Sequence, residues 1–472
     1  MKSITSADLS PDQRAAFENI LEWSRQGRFG DPIRTFGGLA GTGKTTVLSV
    51  FAREAEMTPI AFIAFTGKAS SVLRRKLREA GIKTTGVTLK QSEQDEYTRS
   101  RGLPYCGTIH SLIYAPVELC VCTVCGFETD KTGACPNRDS KNEMCTGVLK
   151  STGRVVGWAR RDKLDRGYKV LIIDESSMLS DDMLEDLKVY GAPILAVGDH
   201  GQLSPVNGVG TLMRDPDIRL EHIHRQAADN PIIKLAHSVR ETGRLDTKLA
   251  DGKHVVFDSK NKLNAYVDKM YKGITEQRLF EVGMLCYTND RRVNLNALAR
   301  AARGFSGAPR IGDQVICLRN NRGKGVFNGM RALIASDVIR KVRPKDLPLF
   351  DGYDDALEER QWEPPWKLFA ELDFVEDGVK DEFSMCANQF NRKYTFKDYS
   401  ELAECKIRVG TWEEAGGLFD FGYGLTVHKS QGSQFNEVLL IVDGPGRMGF
   451  DEYKRWLYTG ITRAVDRITI LI

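Results

Sequence analysis

The sequence predicts an α/β chain built on mostly parallel sheets, carrying a cysteine-rich insert early and a β-rich insert late. Three observations carry this. Short apolar runs alternate with amphipathic helical stretches over the first ~205 residues, the pattern of strands covered by helices on both faces. A Gly-rich loop joins the first of those runs to a helix. Five of the ten cysteines crowd into positions 120–145, where the alternation stops.

The elements follow in order. Ile33–Gly37 reads as a strand leading through the Gly-rich loop into the helical run Thr45–Glu56. Ile60–Phe65 has a buried-strand pattern and precedes a helix over Lys68–Ala80. Val170–Ile173 and Ile194–Val197 are further short apolar strands. The stretch from about Pro116 to Trp158 interrupts them with Gly, Thr and Asn and reads as an inserted subdomain. After Pro205 the alternation resumes, with a strand at Val282–Tyr287 and a helix at Asp290–Arg303. From Ile311 to Gly416 the strand-like pieces Gln314–Leu318, Met330–Ser336 and Leu368–Phe374 are separated by Gly, Pro and charged turns. Trp362, Trp366, Phe369 and Phe374 are expected to form the core of this β-rich region rather than to stack on bases. The strand Glu437–Val442, a helix near Tyr453–Thr462 and the strand Arg467–Ile472 close the pattern.

Composition narrows the function classes. With 41% hydrophobic and 28% charged residues in 472, the chain reads as globular rather than disordered. Its longest apolar runs fall well short of the ~20 residues that span a bilayer, and Met1–Asp12 lacks an apolar signal core. Membrane partners and secretion are therefore not expected. A net charge of +4 neither demands nor excludes nucleic acid.

Gly38-Leu39-Ala40-Gly41-Thr42-Gly43-Lys44-Thr45 fits G-x-x-x-x-G-K-[ST] between a strand and a helix, the context of a phosphate-binding P-loop. Gly38, Gly41, Thr42, Gly43, Lys44, Thr45 and the following Thr46 are the expected nucleotide-binding set. Glycines let backbone N–H groups approach phosphate oxygens at the positive end of the helix. Lys44 would reach the β and γ phosphates, and Thr45 would ligate Mg²⁺. Val170-Leu171-Ile172-Ile173-Asp174-Glu175 ends a buried strand in an acidic pair. Asp174 suits the Mg²⁺ shell and Glu175 the base that orients an attacking water.

Further segments carry a family resemblance. They are Asp12-Gln13-Arg14, Thr66-Gly67-Lys68-Ala69, Thr108-Ile109-His110, Asp174-Glu175-Ser176-Ser177-Met178, Gly198-Asp199-His200-Gly201-Gln202-Leu203-Ser204-Pro205-Val206, His224-Arg225-Gln226, Val326-Phe327-Asn328-Gly329, Thr426-Val427-His428-Lys429-Ser430-Gln431-Gly432 and Tyr458-Thr459-Gly460-Ile461-Thr462-Arg463-Ala464. In this order the chain resembles superfamily 1B DNA helicases of the RecD-like and Dda-like, 5′→3′ group. The resemblance implies two RecA-like motor domains, at 1–115 with 159–206 and at 207–310 with 417–472. It places a Cys-rich insert where the family has a strand-separating pin (116–158) and an SH3-like insert at 311–416. It implies Gln13 as adenine reader, Gln202 as γ-phosphate sensor, and Arg225 and Arg463 as arginines reaching the phosphate from the second motor. It implies a single-strand groove of Thr66, Thr108, His110, Asn328, Thr426 and His428, although Ser, Thr and Asn also make local caps and turns. ATP, Mg²⁺, single-stranded DNA and single-strand/duplex junctions are the implied ligands. Replication or recombination proteins would be partners, in the cytoplasm of a bacterial or phage-infected cell and on the nucleoid when bound to DNA.

Cys122-Thr123-Val124-Cys125-Gly126 has the shape of a zinc knuckle, which Cys135 and Cys145 would complete as a structural Zn²⁺ site. Cys120 is a rival ligand, and free thiols or a disulfide are alternatives. Phe127 and Trp158 would either stack on the first base pair of a junction or pack locally. Rival functions are an RNA-directed or non-unwinding translocase, a small-molecule P-loop kinase, and a zinc-dependent scaffold.

Overall fold

The computed structural model describes residues 4–26, 31–55, 59–65, 67–85, 103–138, 143–179, 181–203, 212–213, 215–221, 229–321, 324, 326–341, 367–376, 379–397 and 416–472; for 68, 116, 152–158, 178, 340 and 341 this holds for the backbone only. Thr66, Arg225, Trp362 and Trp366 lie outside the described residues, as does the side chain of Trp158.

The first sheet has six parallel strands in the order Ile218–Leu220, Ile33–Gly38, Ile194–Gly198, Val170–Asp174, Ile60–Ala64 and Tyr105–Thr108. Ile60–Ala64 and Ile194–Gly198 are buried along their whole length, as a parallel sheet covered on both faces requires. One face packs against the helices Pro11–Gln26 and Lys44–Glu54 through Phe17, Ile20, Trp23, Val47 and Phe51. Pro11 starts its helix at the first helical position, where a missing N–H costs nothing.

The second sheet is also parallel: Val255–Asp258, Ala464–Leu471, Phe435–Ile441, Val282–Cys286 and Gly424–Thr426. Its flanking helices are Pro231–Thr242, Leu263–Tyr271, Asn289–Ala302 and Phe450–Ile461. Asn230 caps the first of these by accepting from the Ile232 N–H at 2.8 Å, and Gly243 closes it at φ 69°.

A third, antiparallel sheet contains Ile339–Lys341, Lys367–Phe374, Arg331–Ile334, Gln314–Cys317 and Phe419–Phe421, with Val379–Cys386 paired to Lys367–Phe374. Phe419–Phe421 thus joins the β-rich region although it lies past the sequence-derived boundary at 416. Along Lys367–Phe374 every second residue is buried. That period puts Phe374 in the core with Leu368, Ala370 and Leu372, whereas Phe369, expected beside it, falls on the opposite, half-buried face. Two buried ion pairs, Arg292 with Asp420 and Arg300 with Asp313 (2.9 Å), pin this sheet to the helix Asn289–Ala302.

The fourth sheet is the cysteine-rich one. Tyr114–Cys122 pairs antiparallel with Val148–Arg160, and the short strands Glu128–Thr129 and Gly133–Ala134 flank them. Among the described residues no helix is long and apolar enough to cross a membrane.

Candidate active site

The phosphate loop follows the strand Ile33–Gly38 and opens the helix Lys44–Glu54. Gly41 and Gly43 hold φ of 82° and 83°, which side chains rarely adopt. A Cβ on Gly38 would stand 2.7 Å from Lys44 Cγ and 2.8 Å from Thr42 Oγ1, so the loop is closed tightly on its own lysine. The Lys44 ammonium donates to the carbonyl oxygens of Gly38 and Leu39, the latter at 3.1 Å. Thr42 is buried and donates to the Leu39 carbonyl at 2.9 Å. Thr45 and Thr46 begin the helix, half-buried. The buried Gln13 amide donates to the Thr42 carbonyl at 3.0 Å, placing it against the loop from outside.

Asp174 ends its strand two strands away from the loop, and Glu175 follows in the left-handed region at φ 53°. A non-glycine residue held there stores backbone strain, a frequent feature of functional positions. Burial and the neighbouring Asp174 charge raise the Glu175 pKa, while Arg463 and Lys44 pull it back down. The charges that act on this carboxyl thus come both from the phosphate-loop lysine and from Arg463, which precedes the strand Ala464–Leu471.

The two sheets meet at the segment after Gly198. Asp199 is buried; it accepts from the Gly201 N–H at 2.9 Å and from the Gln202 amide at 3.3 Å. Gln202 is buried too, and its Oε1 has no hydrogen-bond partner among the described residues. Both ring nitrogens of His200 share that condition, and burial lowers the His200 pKa. Such orphaned polar atoms beside a glycine-rich cradle suit a polar ligand that supplies the missing partners. The residues present fit a nucleoside triphosphate with its Mg²⁺: Lys44 and the loop for the phosphates, Thr45 and Asp174 for the metal.

Arg463 is 4% exposed and donates to the carbonyls of Thr459 (3.1 Å) and Ser433 (3.1 Å). Its charge acts on Glu175, yet its hydrogen bonds remain within its own unit.

The expected groove residues are more local in their bonding. Thr108 caps the short helix Ile109–Ile113, accepting from the Ser111 N–H at 3.1 Å. Thr426 accepts from the Lys429 N–H at 3.3 Å. The His110 ring lies 4.8 Å from that of Tyr114, burial lowers the His428 pKa, and Asn328 is exposed. Lys429 is the stronger signal in this stretch, since burial brings its ammonium down to about 8.

In the cysteine-rich sheet the sulfur atoms of Cys122, Cys125, Cys135 and Cys145 all lie within 4.8 Å of one another. Cys122 and Cys145 are 3.7 Å apart, and Cys125 and Cys135 are 3.6 Å apart. A tetrahedral ion with ~2.3 Å metal–sulfur bonds needs sulfurs about 3.8 Å apart, so this set could hold one. The N–H groups of Val124 (3.4 Å) and Cys125 (3.5 Å) donate to Cys122 Sγ, and the Phe127 N–H helps lower the Cys125 pKa to about 6. Cys120 stands apart, its thiol donating to the Glu118 carbonyl at 3.8 Å. Phe127 is 36% exposed beside the cluster.

Two family descriptions match the sequence. An AAA domain matches residues 8–256, more than half of the 472, and a UvrD-like helicase C-terminal domain matches 421–471. The chain belongs to the AAA domain family. A curated relative, the ATP-dependent RecD2 DNA helicase of Deinococcus radiodurans, is 24% identical over 315 residues, covering 64% of this chain and 36% of that protein. The chain thus spans about a third of that relative's length. An uncharacterized protein of Methanocaldococcus jannaschii is 28% identical over 169 residues, covering 36% of this chain and 11% of its own. A crystal structure of Pif1 helicase from Bacteroides in complex with ADP-AlF3 and ssDNA aligns with a TM-score of 0.47 at 16% identity, over 98% of this chain and 92% of that one.

Sequence reasoning missed Asp199, Arg455, Tyr458 and Thr459, although all but Arg455 lie inside segments that carried the resemblance. Arg455 donates to the carbonyls of His200 and Gln202, each at 3.1 Å, and the Leu203 N–H donates to Thr459 Oγ1 at 3.1 Å. For Arg455, Tyr458 and Thr459 the available signal was polar side chains on one helix, Phe450–Ile461, in or beside a segment that carried the resemblance.

Proposed function

We propose that the chain is an ATP-dependent DNA helicase that moves along single-stranded DNA, 5′→3′, and opens duplex ahead of it. The observation that carries this is the contact between the two parallel-sheet units at the phosphate loop, where the Tyr458 hydroxyl bonds the Ala40 N–H and Asp199 while Arg455 bonds the carbonyls of His200 and Gln202. A hydrolysis site completed by a second unit links the chemical step to the spacing between units, which a small-molecule kinase does not need. Glu175 orients the attacking water and takes its proton; its raised pKa suits a base in a buried site. Lys44 neutralises the phosphates, Thr45 and Asp174 would hold a Mg²⁺ that would add to that neutralisation, and Gln202, Arg225 and Arg463 stabilise the transferring group. Gln13, at the outer edge of the loop, reads the base. The divisions follow the expected motor units (1–115 with 159–206, and 207–310 with 417–472) and inserts (116–158 and 311–416, the latter SH3-like) with two shifts: the first motor unit also takes in the strand Ile218–Leu220, and the late insert takes in Phe419–Phe421.

Single-stranded DNA lies across Thr66, Thr108, His110, Asn328, Thr426 and His428, gripped through phosphates rather than base edges. The four cysteines hold a structural Zn²⁺ that shapes the insert as a wedge, with Phe127 and Trp158 at the junction. Strand displacement on duplexes bearing a 5′ or a 3′ single-stranded tail tests the proposal. Displacement only with a 5′ tail and only with ATP is expected. Displacement from 3′ tails would reverse the polarity, and none from either would leave a non-unwinding translocase.

A further inference from the structure

One side chain crosses from the second unit into the phosphate loop. The Tyr458 hydroxyl, on the helix Phe450–Ile461, accepts from the Ala40 N–H at 3.0 Å and donates to Asp199 Oδ2 at 2.9 Å. Its ring is fully buried, and burial with the Asp199 charge raises its pKa well above the ordinary value, so it is a neutral donor at any working pH. The carboxylate it touches is the one that holds the Gln202 amide at 3.3 Å. Arg455, Thr459 and Gln431, whose amide donates to the Leu203 carbonyl at 3.2 Å, grip the same segment from the same unit.

We propose that Tyr458 is a positioning residue of the hydrolysis site, contributed by the second unit. Its hydroxyl fixes Asp199 against the phosphate loop, and Asp199 in turn sets the Gln202 side chain, whose Oε1 is free to meet the ligand. It transfers no proton. Movement of the helix Phe450–Ile461 away from the first sheet breaks both bonds at once, so separation of the units disarranges Gln202 and the loop together. This rests on the ATP-hydrolysis part of the proposed function.

Tyr458→Phe in the full chain keeps the ring and removes both hydrogen bonds. Steady-state ATPase, with and without single-stranded DNA, should show kcat reduced about tenfold with KM for ATP within about twofold. A purely packing role predicts wild-type kcat, because the ring remains. Gly201→Ala is the second variant: its Cβ would lie 3.0 Å from Tyr458 Cε1, 3.2 Å from Cζ and 3.2 Å from Asp199 Oδ1, crowding the Tyr458–Asp199 pair without deleting the hydroxyl. It should lower kcat about threefold in the same direction. Wild-type kcat in Tyr458→Phe, or a loss carried by KM alone, would overturn the proposal. Absence of DNA stimulation in the wild type would count against the helicase assignment, while the kcat comparison would still decide the role of Tyr458.

Discussion

Around the phosphate loop, the candidate site residues stand on strand ends and helix starts backed by a large core that includes Phe36, Val47, Phe51, Phe62 and Val197. In the cysteine-rich sheet the buried cluster is Cys120, Cys122, Cys135 and Leu149, and three of those four are sulfur. The phosphate-loop region is organised by apolar burial before any ligand arrives. Among its described residues the sheet buries little apolar area, so its shape is expected to depend on the bonds its sulfurs make. Loss of a ligand group should therefore cost the first region chemistry and the second its shape.

The largest expected effect tests the phosphate loop. Lys44→Ala should lower ATP turnover by about 10²–10³-fold, since it removes a charge from the transferring phosphates. Melting temperature and bound metal should stay near wild type, which calorimetry and elemental analysis can check. The reverse pattern is expected at the sheet. Cys125→Ser with Cys135→Ser should reduce bound zinc from one per chain to none and slow strand displacement about tenfold, with ATPase within about twofold. Equal loss of both activities would make the sheet part of the motor rather than an addition to it.

A smaller effect is a matter of pH. Lys429 lies in the same segment as the proposed groove residues Thr426 and His428, and burial brings its ammonium down to about 8, so its charge is present at pH 7 and lost by pH 9. Affinity for single-stranded DNA should fall as pH rises through that range. In Lys429→Met it should be lower at pH 7 but nearly independent of pH, with a salt slope smaller by about 1. Fluorescence anisotropy of a labelled oligonucleotide reads both.

The smallest effects compare two glycines. A Cβ on Gly67 would fall 2.2 Å from the Phe327 ring, so Gly67→Ala should cost about 1–3 kcal/mol by overpacking. Gly126 meets nothing within 4 Å but sits at φ 71°, so Gly126→Ala should cost about 1 kcal/mol through the backbone alone. Chemical denaturation distinguishes them.

The same contrast explains what was legible in the sequence. Lys44, Asp174 and Glu175 could be read because strand–loop–helix and strand-end contexts are local, and the four cysteines because their spacing is. The strands that were expected lie within a few residues of the observed ones for the same reason, whereas Ile218–Leu220, Val255–Asp258 and Val379–Cys386 were not expected at all. Strand order and the place of Phe419–Phe421 in the antiparallel sheet depend on pairing between distant segments, whereas the half-buried face of Phe369 follows from the two-residue period of its own strand. Tyr458 was missed because its two partners, Ala40 and Asp199, lie 418 and 259 residues away in the chain. Thr108 and Thr426 illustrate the opposite limit. Their hydroxyls make the nearby caps that such residues favour anywhere, and a ligand would have to compete for them.

The most direct measurement is steady-state ATPase of the wild type and Glu175→Gln, each with and without single-stranded DNA. A composite site driving movement on DNA predicts strong stimulation by DNA in the wild type and a loss of about 10²–10⁴-fold in the variant under both conditions. Wild-type hydrolysis indifferent to DNA, or a variant that still hydrolyses ATP at the wild-type rate, would contradict it.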